Sequence, residues 1–151
     1  MGKMVLAAAL LVAAGTLPAV AADRSCSQAD LEAEQALVFQ TNLMVVSSAC
    51  RDTVYGEFRA RNKNAIIAYQ KEMIAHFRRA GFRNAQGKFD SWNTSLANEI
   101  SLKQGAMPTG QVCQQAADML KMASTLDSKG FHDYAVAHIA TSTVTHPVCA
   151  R

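Results

Sequence analysis

The sequence predicts an all-α protein, an up-down helical bundle of four to five helices with the last helix broken near Gly130 and two disulfides stabilising it. Apolar residues recur at helical spacing along most of the chain, and no stretch alternates like a strand between hairpin turns. Four cysteines follow an apolar N-terminal segment, and an even cysteine count is typical of exported, disulfide-bonded proteins.

The N-terminus has the pattern of a signal peptide. Lys3 provides a positive start, residues 4–14 are uncharged and apolar, and Ala19–Ala21 or the triplet one residue later fits a cleavage site. The apolar run is shorter than the roughly 20 residues that a membrane-spanning helix needs. We therefore expect a signal peptide at 1–22, a single domain at 23–151 in the periplasm or outside the cell, and no membrane span after cleavage.

The first two predicted helices have the clearest signals. A capping box of Ser27 and Asp30 begins the first helix, which continues to Cys50. The second helix, Thr53–Arg79, carries an apolar stripe at about 100° per residue that is interrupted only at Asn62.

Glycine and proline separate the rest of the chain into shorter helical pieces, since neither residue continues a helix readily. Gly81 and Gly87 mark a turn, and Gly105 with Pro108 ends the third helix. The fourth helix is interrupted at Gly130. The apolar pattern predicts three pieces: Phe89–Ile100, Val112–Ala123 and Phe131–Ile139.

All four cysteines lie in the mature chain, where disulfides are the expected state. Their successive spacings of 24, 63 and 36 residues contain no C-x-x-C pair, which disfavours zinc, thioredoxin-like and haem-attachment motifs. Cys26 and Cys50 lie at opposite ends of a continuous helix, about 36 Å apart, and cannot bond each other. Of the two remaining pairings, bundle direction favours Cys26 with Cys149 and Cys50 with Cys113. Helix length does not exclude the other.

No catalytic constellation is present in the sequence. It contains neither H-E-x-x-H nor G-x-S-x-G nor a phosphate-binding glycine loop, and no two histidines lie three or four residues apart. Asp133 follows His132, but adjacent helical residues project about 100° apart. We interpret most histidines as surface or helix-end residues, and we expect neither enzyme activity nor a cofactor.

Methionine and histidine provide an alternative interpretation, a haem or copper carrier. Met44 with His138, and Met73 with His76, would supply the soft ligands that these cofactors accept. Methionines in apolar stripes are usually core residues, so this interpretation is secondary. A further alternative is a carrier for a small apolar ligand within the bundle.

Basic residues concentrate between Arg51 and Lys88, where nine basic residues stand against three acidic ones. Four of them lie away from the apolar stripe of the second helix and are called here the basic face: Arg61, Lys71, Arg78 and Arg79. Such a surface can dock an acidic protein or an anionic envelope component, although an ordinary solvated helix surface is the simpler interpretation. Nucleic acid is not an expected partner of an exported chain.

Several short motifs resemble those of a group of small exported bacterial proteins of unassigned function. The motifs are Leu43-Met44-Val45 before Cys50, Phe77-Arg78-Arg79 before Gly81, Leu96-Ala97-Asn98-Glu99 with Ser101, and Cys113. The resemblance supports the helical fold and the Cys50–Cys113 bond, and it implies no activity. Cys26 and Cys149 have no place in that pattern. We therefore expect a non-enzymatic binding or interaction protein of the bacterial envelope.

Overall fold

The computed structural model describes residues 26–139 and 147–149, and every regular element in this part of the chain is a helix. The signal peptide predicted at 1–22 lies outside the described residues. The helices are α1 (Gln28–Cys50), α2 (Val54–Arg61), α3 (Lys63–Arg79), α4 (Ala85–Gly105), α5 (Thr109–Ala123) and α6 (Ser128–His138). The all-α class is confirmed, but six helices replace the predicted four to five. No helix in the described part is long and apolar enough to cross a membrane.

Helix α1 is the central helix of the bundle. It begins at the predicted capping box, in which Ser27 Oγ accepts the N–H of Asp30 and the Asp30 carboxylate accepts the N–H of Ser27. No charged residue occurs from Gln35 to Cys50, and α3, α4, α5 and α6 all pack against α1. A helix without a charged face can be buried on all sides. Even Thr41 on α1 is therefore only 1% exposed.

The predicted helix Thr53–Arg79 consists of two helices that meet at Asn62. This residue is fully buried, and its side-chain amide donates to the carbonyl of Leu126 at 3.0 Å. Arg61 beside it donates to three carbonyl groups of residues 123–126. These bonds fasten the α2–α3 junction to the loop between α5 and α6. Asn62, the polar residue that interrupts the apolar stripe, therefore attaches the α2–α3 junction to that loop.

Two glycines lie inside helices rather than at the predicted breaks. Gly87 is in the first turn of α4, where its N–H donates to the side chain of Asn84, and Gly130 is in the first turn of α6, where its N–H donates to Asp127. The helical chain is therefore broken near Gly130, as predicted, but not at Gly130 itself. The chain breaks just before it, at residues 124–127, because Asp127 caps a new helix there.

The apolar core surrounds α1. Phe39, Phe58 and Phe131 form an aromatic cluster in which the rings of Phe58 and Phe131 meet edge-on with centroids 4.9 Å apart. A second cluster, which includes Met73 and Phe77, joins α1 to α3 and α4. This second cluster supports the candidate site.

Disulfides cross-link α1 at both ends. Cys26 and Cys149 are bonded with their Cα atoms 5.5 Å apart, and Cys50 and Cys113 with theirs 5.6 Å apart. The first bond joins the start of α1 to segment 147–149, and the second joins the end of α1 to α5. The first bond is therefore the one that fixes the C-terminal segment.

Candidate functional site

A cleft of about 430 Å³ opens between α3 and α4. The aromatic side chains of Phe77, Phe82 and Trp92 line it, together with Val148 of segment 147–149. Pockets that bind small molecules have volumes of roughly 300–1,000 Å³ and are mostly apolar. A second hollow of about 190 Å³, beside Met119, falls below that range.

The turn between α3 and α4 shapes the mouth of this cleft. Gly81 takes a φ of 92°, a backbone conformation that residues with side chains rarely adopt. The chain reverses there, so that the N–H of Phe82 donates to the carbonyl of Phe77 at 3.1 Å. The two rings pack edge-on with centroids 5.9 Å apart. Phe82 nevertheless remains 43% exposed and can contact a ligand at the mouth.

One face of α4 supplies another wall of the cleft. Four side chains of this face line it: Lys88, Ser91, Trp92 and Ser95. Their spacing of three, four and seven residues places them on one side of a helix. The Nζ atom of Lys88 lies 5.2 Å from the centre of the Phe82 ring. The wall thus combines an aromatic surface with one cation and two hydroxyl groups.

Segment 147–149 closes one side of the cleft, and Glu34 holds it in place. Glu34 is fully buried on α1, and its carboxylate accepts the N–H of Val148 at 2.6 Å and that of Cys149 at 2.7 Å. Burial raises the pKa of Glu34, and the two N–H donors offset this effect only in part. Because Cys149 is also bonded to Cys26, the segment is fixed by a carboxylate and a disulfide together.

Beneath the cleft, Asp30 joins α1 to α3. It is 1% exposed, and its carboxylate accepts hydrogen bonds from the N–H of Ser27 at 2.9 Å, from His76 Nδ1 at 3.1 Å and from the Arg79 guanidinium. Because an ionised carboxylate only accepts, His76 carries its proton on Nδ1. Burial raises the pKa of Asp30, but these donors outweigh burial and lower it to about 2. Since His76 lines the cleft, this cluster fixes the cleft floor.

Cys26, Asp30 and His76 place three potential metal-ligating atoms within 4.8 Å of one another. Cysteine binds metals as the thiolate, but Cys26 Sγ is bonded to Cys149. The charge of Asp30 is already paired with Arg79. The donor set therefore favours a structural ion cluster over a metal centre.

The basic face divides into two pairs of side chains. Arg61 and Arg79 are hydrogen-bonded within the molecule, the first to the 123–126 carbonyls and the second to Asp30 and Glu72. The other two are exposed and have no partner in the described part of the chain: Lys71 and Arg78. Only this second pair is available to an external partner.

The methionines and histidines that were considered as haem or copper ligands lie in different surroundings. Met73 is fully buried in the apolar cluster, and His76 donates to a carboxylate. His138 is exposed, and its ring packs against Tyr134 with centroids 4.4 Å apart. Met44 is half-buried on α1. These surroundings favour packing roles over ligation.

His132 and Asp133 meet at the surface although they are adjacent in a helix, so the expectation from helical geometry was wrong. His132 Nε2 lies 3.2 Å from Glu32, and its Nδ1 lies 3.2 Å from Asp133. Glu32 first, and Asp133 second, raise the pKa of His132. His132 and the two carboxylates form an ion cluster at the surface.

Sequence reasoning missed both buried acids. Asp30 was predicted only as a capping residue, and no role was predicted for Glu34. His76 lies in the last turn of α3, as the helix-end interpretation allows, but it is buried. A signal was present, because Asp30 and Glu34 lie four residues apart on the same helical face as Leu37. That face is buried, so two acids on it needed partners.

The side chains known to line the cleft are mostly aromatic or apolar, with one lysine and two serines among them. None of the side chains known to line it is a carboxylate or a thiol, and His76 already uses Nδ1 to bond Asp30. No protein-family model, curated protein or solved structure matches this chain. Function is therefore inferred from the geometry of the cleft itself.

Proposed function

We propose that this chain is an exported, non-enzymatic binding protein of the bacterial envelope that holds a small, largely apolar molecule in the cleft between α3 and α4. The observation that carries the proposal is the cleft itself, in which three aromatic side chains border about 430 Å³. Aromatic walls with a few polar groups are typical of small-molecule sites. Two disulfides and the apolar N-terminal segment support export.

The walls of the cleft are held before any ligand enters. Asp30 attaches α3 to α1, and Glu34 attaches segment 147–149 to the same helix. The Cys26–Cys149 bond adds a covalent link to that attachment. A preorganised site loses less conformational entropy on binding, which supports a role in binding.

The single tryptophan of the chain, Trp92, lines the cleft, so its fluorescence reports on the cleft. We expect decan-1-ol to change this fluorescence in a saturable way. Phe82→Ala removes an aromatic wall and should weaken the binding of decan-1-ol by about tenfold. Because Phe82 is 43% exposed, the variant should still fold, which circular dichroism will check.

The control is Leu102→Ala on α4, the helix that carries Trp92. Leu102 is 77% exposed and does not line the cleft, so this variant should bind decan-1-ol like the unaltered chain. Equal losses in the two variants, or no saturable change in the unaltered chain, would contradict the proposal.

The second candidate function is docking of an acidic envelope partner through the basic face. It is supported by the exposure of Lys71 and Arg78, which have no intramolecular partner among the described residues. Reversing both charges, as Lys71→Glu with Arg78→Glu, should weaken the capture of immobilised poly-glutamate at low salt by about tenfold. Arg61 and Arg79 stay unaltered, because they hold the fold together.

A double variant with the same change in net charge, Lys121→Glu with Lys129→Glu, is the control for this docking. Both lysines are exposed on α5 and α6. The control should lose much less capture if docking is local to Lys71 and Arg78. Similar losses in both double variants would show a response to net charge alone and count against the docking surface.

A further inference from the structure

We infer that the ligand of the cleft is an amphipathic monoanion, with an apolar body along Trp92 and one carboxylate or comparable group beside Lys88. This inference rests on the proposed function and adds the chemical class of the ligand. It is carried by the charges around the cleft and by the hydrogen bonds that its polar groups already make.

The charge at the cleft mouth is positive. Lys88 is the one lysine or arginine among the known lining residues, and none of these residues is acidic. Arg78 and Arg83 follow Phe77 and Phe82 in the sequence, so two more cations lie near the site without lining the cleft. Both are exposed and have no partner in the described part of the chain. A positive mouth raises the local concentration of anions.

Two acidic side chains of the neighbouring helical turns, Asp30 and Glu72, are paired with Arg79. Asp90 is exposed on α4 and accepts a hydrogen bond from the neutral amide of Gln86, so it keeps its charge. Within residues 26–139 and 147–149, no hydrogen bond or ion pair joins a carboxylate to Lys88. Its recorded contact is with the ring of Phe82, at 5.2 Å, which leaves the ammonium donors available to a bound anion.

The hydrogen bonds of the polar groups on α4 indicate that the anionic group of the ligand lies at the end of the cleft where Lys88 is. Ser91 Oγ already donates its proton to the Gly87 carbonyl at 2.9 Å, so it offers lone pairs and no donor. The N–H of Gly87 is used by Asn84, so the start of α4 does not offer that donor either. Lys88 is thus the strong donor at this end. Ser95 lies about 10 Å further along the helix, beyond Trp92.

Three probes with the same ten-carbon chain separate charge from apolar contact: decanoate, decan-1-ol and decylammonium, each below the concentration at which it self-associates. Binding to the full mature chain is measured by Trp92 fluorescence and by calorimetry. We expect decanoate to bind about tenfold more tightly than decan-1-ol, and decylammonium to bind most weakly. Added salt should narrow the gap between decanoate and decan-1-ol.

Lys88→Met keeps the length of the side chain and removes its charge. It should bring decanoate down to the affinity of decan-1-ol, whereas Lys88→Arg should keep the preference. Lys121→Met, on α5, is the control and should behave like the unaltered chain.

Equal binding of decanoate and decan-1-ol by the unaltered chain would overturn the anionic class, while leaving the cleft as a binding site. A preference for decanoate that survives in Lys88→Met would overturn the placement of the anionic group beside Lys88. If none of the three probes binds by either method, the proposed function itself fails, and this inference fails with it.

Discussion

Replacing Cys26 and Cys149 by serine is expected to lower the free energy of unfolding by about 5 kcal/mol and to weaken ligand binding in the cleft. The bond spans a sequence separation of 123 residues, and cross-links that close long loops restrict the unfolded chain most. Domains of this size are stable by only about 5–15 kcal/mol, so the loss is a large share of the total. Unfolding is measured with urea by circular dichroism.

Weaker ligand binding follows from the position of the bond. Cys149 adjoins Val148, which lines the cleft. Without the disulfide, segment 147–149 is held only by the Glu34 carboxylate and by the packing of Val148 against the second apolar cluster. We expect the segment to detach for part of the time and the cleft to lose one side. The decan-1-ol titration followed at Trp92 measures this effect.

The other disulfide provides the control. Cys50→Ser with Cys113→Ser removes a bond of sequence separation 63, worth about 4 kcal/mol on the same account, at the opposite end of α1. This variant should lose stability and keep its ligand affinity wherever it remains folded. Equal ligand affinities in the two double variants would show that the Cys26–Cys149 bond does not maintain the cleft.

Asp30→Asn is expected to lower the free energy of unfolding by about 3 kcal/mol at pH 7. Removing one partner of a buried ion pair costs about 3–5 kcal/mol. The lower end of this range applies because the Arg79 side chain is 49% exposed and can be hydrated when its partner is lost. His76 cannot do so, since it is buried against the same carboxylate. Urea unfolding of the variant and the unaltered chain gives the difference.

The same variant should change how stability depends on pH. The folded pKa of Asp30 is about 2, below the ordinary value of 3.8, so the folded chain binds this proton less readily than the unfolded chain. The stabilisation is therefore complete above about pH 4 and is lost as the pH falls toward 2. Glu34, whose pKa is raised, contributes a slope of the opposite sign at higher pH.

We therefore expect the unaltered chain to lose more stability than Asp30→Asn between pH 4 and pH 2. Asp90→Asn, which changes an exposed carboxylate bonded to Gln86, is the control and should follow the unaltered chain. Parallel curves for Asp30→Asn and the unaltered chain over this range would contradict the assignment of the low pKa.

The fold class could be predicted because helix periodicity and capping are local. Ser27 and Asp30 are three residues apart, and the chain needs nothing else to begin α1 there. The division of the second helix at Asn62 could not be predicted in this way. It depends on the carbonyl of Leu126, 64 residues further along the chain, which gives a buried amide its partner.

The cleft could not be predicted for the same reason. The sequence predicts a turn at Gly81 and a helical piece that contains Trp92, and only the packing of α3 against α4 makes Phe82 and Trp92 two walls of one site. Helical spacing correctly placed Arg61 and Arg79 away from the apolar stripe. It could not show that distant carbonyl groups and the start of α1 provide their partners.

The attachment of segment 147–149 to the start of α1 also determines when the cleft is completed during folding. A chain that emerges N-terminus first presents Cys26 early, but its partner Cys149 emerges only after all the residues known to line the cleft. Cys50 and Cys113 can pair before that moment. The bundle can therefore form its disulfides in two stages, Cys50–Cys113 first and Cys26–Cys149 second. Cys26 stays a free thiol during the first stage. A ligand meets a complete cleft only after the second stage.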